Sequence, residues 1–170
     1  MNRLAIALTS SLAAACASTG SDPHDPARRA LLFDAVKALE GTWEEAGSDG
    51  APLVTEFKVS SAGSVVREIM FPGTPQEMTN VYRLDGNALA LTHYCAMGNQ
   101  PEMRAVERIG NQLAFGCVSV ADLDKPDEMY MGELTLEFVD GDHLNEHWRS
   151  YLKGVLQPNE SVDFKLTRRR

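Results

Sequence analysis

From Trp43 onward apolar and polar residues alternate with a period of two, while the stretch just before it keeps the spacing of a helix. That stretch, ARRALLFDAVKALEG at 27–41, carries Leu31, Leu32, Ala35, Val36 and Leu39 at three- and four-residue intervals and stops at Gly41. Such spacing gathers apolar side chains on one helical face. Asp25 suits the N-cap and Pro26 the first helical position. Ten runs of strand period follow: TWEEA, LVTEFKVS, SVVREIMF, EMTNVYRL, ALALTHYC, EMRAVERI, NQLAFGCV, MYMGELTLEFV, DHLNEHWRSY and SVDFKLTRR. SDG, SAG, DGN, IGN and VDGD between them read as turns. The one longer interruption, SVADLDKPDE at 119–128, predicts a surface loop or a single helical turn. None of the runs is a helix long enough to cross between parallel strands, so neighbours are expected to pair antiparallel. Closing such a meander on itself removes its two edges. The expected fold is all-β, an up-and-down antiparallel barrel of about ten strands preceded by one short α-helix, with residues 27–170 as one domain.

The first sixteen residues follow a different pattern. In MNRLAIALTSSLAAAC, Arg3 precedes an uncharged, mostly apolar run from Leu4, and small residues lead up to Cys16. The run is too short to span a bilayer as a helix and suits the h-region of a signal peptide. Its ending, Ala13-Ala14-Ala15-Cys16, resembles the lipobox of bacterial lipoproteins, with Ala13 where that family usually has Leu and Leu12 one step further out. The resemblance implies that residues 1–15 are a signal peptide and that Cys16 becomes the lipidated first residue of the mature chain. It places the protein on the periplasmic side of a bacterial cell envelope, and Ala17 after the cysteine implies outer-membrane anchoring. The alternative is an ordinary secretory peptide cut nearby, with Cys16 incidental; both readings export the protein. Residues 16–26, rich in Ser, Gly, Asp and Pro, can bury little and read as a flexible tether in which His24 is solvated.

Charge narrows the range of partners. Asp and Glu number 24 against 16 Lys and Arg, for a net charge of −8. A surface that negative repels phosphate backbones, so no nucleic-acid partner is expected. The basic cluster Arg168-Arg169-Arg170 reads as solvated rather than as a polyanion site. Three cysteines are too few for a disulfide framework.

The short helix, Gly41-Thr42-Trp43 on the first strand, and the meander ending in a basic residue together resemble the calycin superfamily of lipocalins, fatty-acid-binding proteins and nitrobindins. The resemblance implies that Trp43 plugs one end of the barrel and that Arg168, late in the chain, covers its ring. Nitrobindins continue the motif with further glycines; Glu44 and Glu45 stand here instead, which argues against their haem chemistry.

Two stretches look like chemistry and read better as strands. LTHYCAMGNQP, 91–101, sets His93 and Cys95 two apart, with Cβ atoms roughly 6.5–7 Å from each other on a strand, too far for a nucleophile–base pair. AMGNQP after it reads as a rim turn. HLNEH, 143–147, matches the H-x-x-E-H signature of inverted zinc proteases, but on a strand its histidines stand roughly 13 Å apart and cannot share a metal. Cys95 and Cys117 would be separated by an intervening strand, about 9.5 Å, beyond disulfide reach. Two buried free thiols are expected.

Polar residues on an apolar parity are the candidates for ligand contact: Arg67, Asn80, Tyr82, His93, Glu107 and Glu146, together with Trp148 and the rim residues Asn99 and Gln100. In a sealed core they need partners; in a barrel with a cavity they can anchor a ligand. No catalytic residue, metal site or cofactor is expected. The favoured reading is a lipid-tethered envelope barrel that binds a small, largely apolar molecule inside, its only membrane contact being the N-terminal lipid. A structural or interaction lipoprotein with a filled barrel is the alternative, and a haem-binding or enzymatic barrel using His93 or His147 has least support.

Overall fold

The computed structural model of the protein describes residues 24–48 and 50–170. The expected signal peptide, Cys16 and most of the tether lie outside them. Helix α1 (Pro26–Lys37) starts where Asp25 caps it: the carboxylate Oδ1 accepts from Ala27 N at 3.0 Å and Arg28 N at 3.3 Å. Leu32, Phe33 and Val36 are its buried face, joined by Leu39 just beyond its end. Arg28 donates through Nε to Val106 O at 2.9 Å and Arg29 donates to Gly86 O, so the helix is fastened to strand ends it never pairs with.

Eleven strands follow among the described residues: β1 (Gly41–Ala46), β2 (Pro52–Ser60), β3 (Val65–Met70), β4 (Met78–Asp85), β5 (Ala88–Tyr94), β6 (Gln100–Ala105), β7 (Arg108–Ile109), β8 (Gln112–Ala121), β9 (Met129–Phe138), β10 (His143–Leu152) and β11 (Val155–Arg168). All pairings are antiparallel. β1 lies between β2 and β11, β6 pairs with β8, and the result is a closed ten-stranded barrel in which β7 is a two-residue stub on β8. The run EMRAVERI therefore breaks in two, because Val106 and Glu107 leave the sheet where Arg28 takes the Val106 carbonyl. β8 in turn runs on to Ala121, so the first three residues of the expected loop are strand. HLNEH lies within β10 as a strand, opposite Asp163 and its neighbours on β11, and among the described residues no group of His, Cys, Asp and Glu is arranged to hold a metal.

The turn from β4 to β5, the end of β6, the start of β10 and the end of β11 all gather at the helix end of the barrel. There Trp43 is buried and donates its indole N–H to Leu39 O at 2.8 Å. Arg168 is its direct cross-strand partner, with the guanidinium carbon 4.2 Å from the ring centroid. The same guanidinium donates to Ala38 O at 2.9 Å, Glu40 O at 2.7 Å and Gly141 O at 3.1 Å. It thus satisfies carbonyls left open at the C-terminus of α1 and ties them to the β9–β10 turn. Gly41 has φ of +132°, and a Cβ there would sit 3.1 Å from Arg168 Nη1, so both backbone and space require glycine.

Removing the indole empties a sealed site, so Trp43→Ala is expected to cost roughly 3–5 kcal/mol in chemical denaturation. Arg168→Ala, which leaves helix-end carbonyls unpaired, is expected to cost about 1–3 kcal/mol. Because guanidinium and ring touch, the double variant should lose less than the sum. Strictly additive losses would mean that Arg168 acts without the ring.

Candidate functional site

The open end of the barrel lies opposite α1, where β3 leads to β4, β5 to β6 and β8 to β9. Alternation along β4 turns Asn80 and Tyr82 inward, β5 contributes His93, and β10 contributes Glu146 and Trp148; all five are buried. The cross-strand register sets Asn80 opposite Glu68 on one side and opposite His93 on the other. Asn80 Nδ2 donates to Glu68 Oε2 at 2.8 Å, and Tyr82 Oη donates to the same oxygen at 2.6 Å. Asn80 Oδ1 lies 2.7 Å from His93 Nδ1. Since the amide nitrogen is committed to a carboxylate, its oxygen must accept, and His93 carries its proton on Nδ1. Nε2 is left as a buried lone pair without a hydrogen-bond partner. The His93 ring leans on Trp148 with centroids 4.8 Å apart, and Trp148 Nε1 donates to Glu146 Oε2 at 3.0 Å.

Glu68 and Glu146 are both buried in this interior, close enough for each to bear on the other's charge, and their Oε1 atoms have no hydrogen-bond partner. Burial, and then the charge of Glu68, hold the Glu146 carboxyl well above its usual range. Burial also raises Glu68, and the hydrogen bonds from Tyr82 and Asn80 offset only part of that rise. Burial thus favours the protonated form of both carboxyls, most strongly at Glu146. Tyr82 is raised well above its ordinary value by burial and by the nearby carboxyls. Burial lowers His93 from 6.5 to about 4, so its imidazole is neutral at physiological pH.

Two expected contacts are not here. Arg67 is exposed and points outward; Glu68, one position on, takes the interior. Both parities of VVREIM carry apolar residues, so alternation alone does not choose between them. A carboxyl can be buried neutral, whereas a guanidinium keeps its charge, and that favours the observed register. Glu107 is also exposed, because β6 ends at Ala105 and the alternation stops with it. At the rim Asn99 is buried, donating to Glu128 Oε1 at 2.8 Å and Met129 O at 3.0 Å, which ties the β5–β6 turn to β9. Gln100 is half-buried and donates to Gly98 O. These two shape the mouth and lie outside the Glu68–His93 network. Cys95 and Cys117 are free thiols, Cys95 half-buried just past β5 and Cys117 exposed on β8 rather than buried. Burial raises both above the ordinary thiol value, so neither is poised as a thiolate nucleophile.

Beyond this network toward the mouth is a cavity of about 30 Å³, lined by Met70, Met78, His93, Met131, Trp148, Val162 and Phe164. Ligand pockets for drug-sized molecules run to roughly 300–1,000 Å³, so a porphyrin or fatty acid has no room without repacking. A wider hollow of about 290 Å³ between Pro52, Leu53, Phe71 and Pro72, where β2 begins and β3 ends, holds none of the network residues. Compared with sequence models of known families and with curated proteins, the chain matches none.

Proton linkage gives the network a measurable signature. A carboxyl held above its ordinary value of 4.5 contributes stability that is complete below that pH and is lost as pH rises toward the raised value. His93, held at about 4, contributes stability present above 6.5 and lost as pH falls toward 4. Glu146→Gln can still accept from Trp148 and cannot ionise. The difference in unfolding free energy between this variant and wild type should therefore move in the variant's favour as pH rises from 5 to 9, by up to about 1.4 kcal/mol per pH step while the linkage lasts. A difference independent of pH in urea titrations would mean that the pair holds no proton.

Proposed function

We propose that this protein is an exported, lipid-tethered barrel of the bacterial cell envelope that binds one small ligand inside the barrel at its open end. The observation that carries the reading is His93: a fixed tautomer with a buried Nε2 lone pair, no partner, and an apolar cavity in front of it. A polar atom left unmatched in a core costs about 1–3 kcal/mol, and a ligand that accepts the lone pair recovers it. Tyr82 and Glu146 serve this site from behind, Trp148 lines it, and Asn99 and Gln100 shape the mouth. The ligand is small and meets mostly apolar surface. The short helix closing one end, Gly41-Thr42-Trp43 opening β1 and Arg168 over the indole support kinship with the calycin barrels.

The filled structural barrel remains the second reading, favoured by how little space the interior leaves. Native mass spectrometry of the protein purified from its own envelope separates the two. We expect a co-purifying mass on wild type that is absent from His93→Gln; bare protein in both cases would favour the filled barrel.

The tether rests on the pattern at residues 13–16. Cys16→Ser should move the protein from the membrane fraction to the soluble exported fraction. If the variant sediments with membranes as wild type does, the lipid anchor is wrong.

A further inference from the structure

The lining of the interior cavity has an unusual donor set. Three of its seven side chains are methionines, one is a histidine with a bare ring nitrogen, and one is a tryptophan. Met70 and Met78 are direct cross-strand partners on β3 and β4, two residues along from the Glu68–Asn80 pair on the same inward face. Met131 comes from β9 on the opposite wall, its Sδ 3.3 Å from Ser150 Oγ. Asn80 joins the two halves of the set. Its Nδ2 reaches Met70 Sδ at 3.5 Å as well as Glu68, while its Oδ1 takes the proton side of His93. Every polar atom of the Asn80 side chain is thus used to hold a sulfur and an imidazole in place.

We infer that this cavity binds a single soft monovalent cation, Cu(I) or Ag(I), through His93 Nε2 and thioether sulfurs of Met70, Met78 and Met131, with the Trp148 ring alongside. The inference rests on the small-ligand reading of the same site and names the ligand class. Thioether and imidazole are neutral, soft to intermediate donors that select Cu(I) over hard cations, which need carboxylate, carbonyl or water oxygens. Zinc prefers thiolate, imidazole and carboxylate, and the lining offers only one of these. Size points the same way, since about 30 Å³ admits a bare ion or one water as it stands, and an organic ligand only after repacking. A water there would want two to four hydrogen-bonding partners, and the lining supplies one good acceptor. The Glu68–Asn80–His93 chain is the outer hydrogen bonding that ligating histidines use to fix the tautomer and raise ring basicity. Methionine is unbranched, so small rotations bring sulfur toward the ring nitrogen. Met78 and Met131 are only half-buried, at the open end, which gives the ion a way in. The aromatic face beside the site offers further attraction for a cation.

The test uses the full chain with Cys16→Ser, Cys95→Ser and Cys117→Ser, so that thiols do not compete. Cu(I), kept reduced with ascorbate under nitrogen, is titrated against a coloured Cu(I) chelator, and Ag(I) uptake is counted by native mass spectrometry. The expected result is one equivalent of either ion held against the chelator. It should be lost in His93→Gln and in the triple variant Met70→Leu, Met78→Leu, Met131→Leu, whose side chains keep the volume and whose folding is checked by circular dichroism. Failure of wild type to hold the ion overturns the inference, and so does equal retention by the triple variant. The small-ligand reading fails separately. If no metal binds but the protein from its own envelope carries an organic mass that His93→Gln lacks, the metal is wrong and the ligand site stands; if neither is found, both fall.

Discussion

A sheet of ten strands has two edges, and in this protein those edges hydrogen-bond to each other. The pairing of β1 with β11 turns an open meander into a tube, and most other features follow from the need to fill and seal that tube. Inward positions must be apolar or satisfied, because no solvent reaches them. One end is sealed by α1, whose buried Leu32, Phe33 and Val36 are inserted there and whose C-terminal carbonyls are held by Arg168. Arg168 can reach them because the same closure brings the last strand beside the first, opposite Trp43. The guanidinium thus does two jobs with one placement, covering the indole and ending the helix.

What could be read in advance was whatever repeats along the chain. The period-two runs located ten strands, the Asp25-Pro26 pair located the helix start, and turn residues between strands gave antiparallel order. The inward direction was legible on β4, β5 and β10, where one parity is plainly apolar; Asn80, Tyr82, His93, Glu146 and Trp148 are inside as alternation implies. It was not legible on β3. Val65 and Ile69 compete with Val66 and Met70 for the interior, so the pattern leaves Arg67 and Glu68 equivalent. What separates them is a difference in desolvation that no hydropathy scale expresses: an acid can take up a proton and go inside neutral. Glu107 shows a second limit, because alternation says nothing about where a strand stops. The methionines were invisible as a set for a simpler reason. Met70, Met78 and Met131 each sit in an ordinary strand pattern, and only the register brings them to one place.

The interior is layered by polarity along the barrel axis. Apolar packing fills the helix end, the acid pair with Tyr82 and Asn80 occupies the middle, and His93 with the sulfur-rich cavity faces the mouth. A purely apolar core of the same volume would be more stable, since replacing buried ionisable pairs with hydrophobic residues is often neutral or favourable by roughly 1–4 kcal/mol. The acid pair has a local use here: Glu68 fixes Asn80, Asn80 fixes His93, and the fixed tautomer leaves one nitrogen bare. Removing Glu68 would let the Asn80 amide turn over, and with it the choice of which ring nitrogen carries the proton. Stability is thereby exchanged for the orientation of a single lone pair.

That chain of dependence runs in one direction, from the core toward the mouth. Each link toward the open end is held by the one before it, so the last group needs no support from the ligand side. Its surroundings are correspondingly soft: unbranched methionine side chains, half-buried at the rim, instead of the close-packed leucines beneath. A rigid nitrogen facing adaptable sulfurs can close on something very small without the backbone moving. On the ligand-binding reading proposed above, that division has a use.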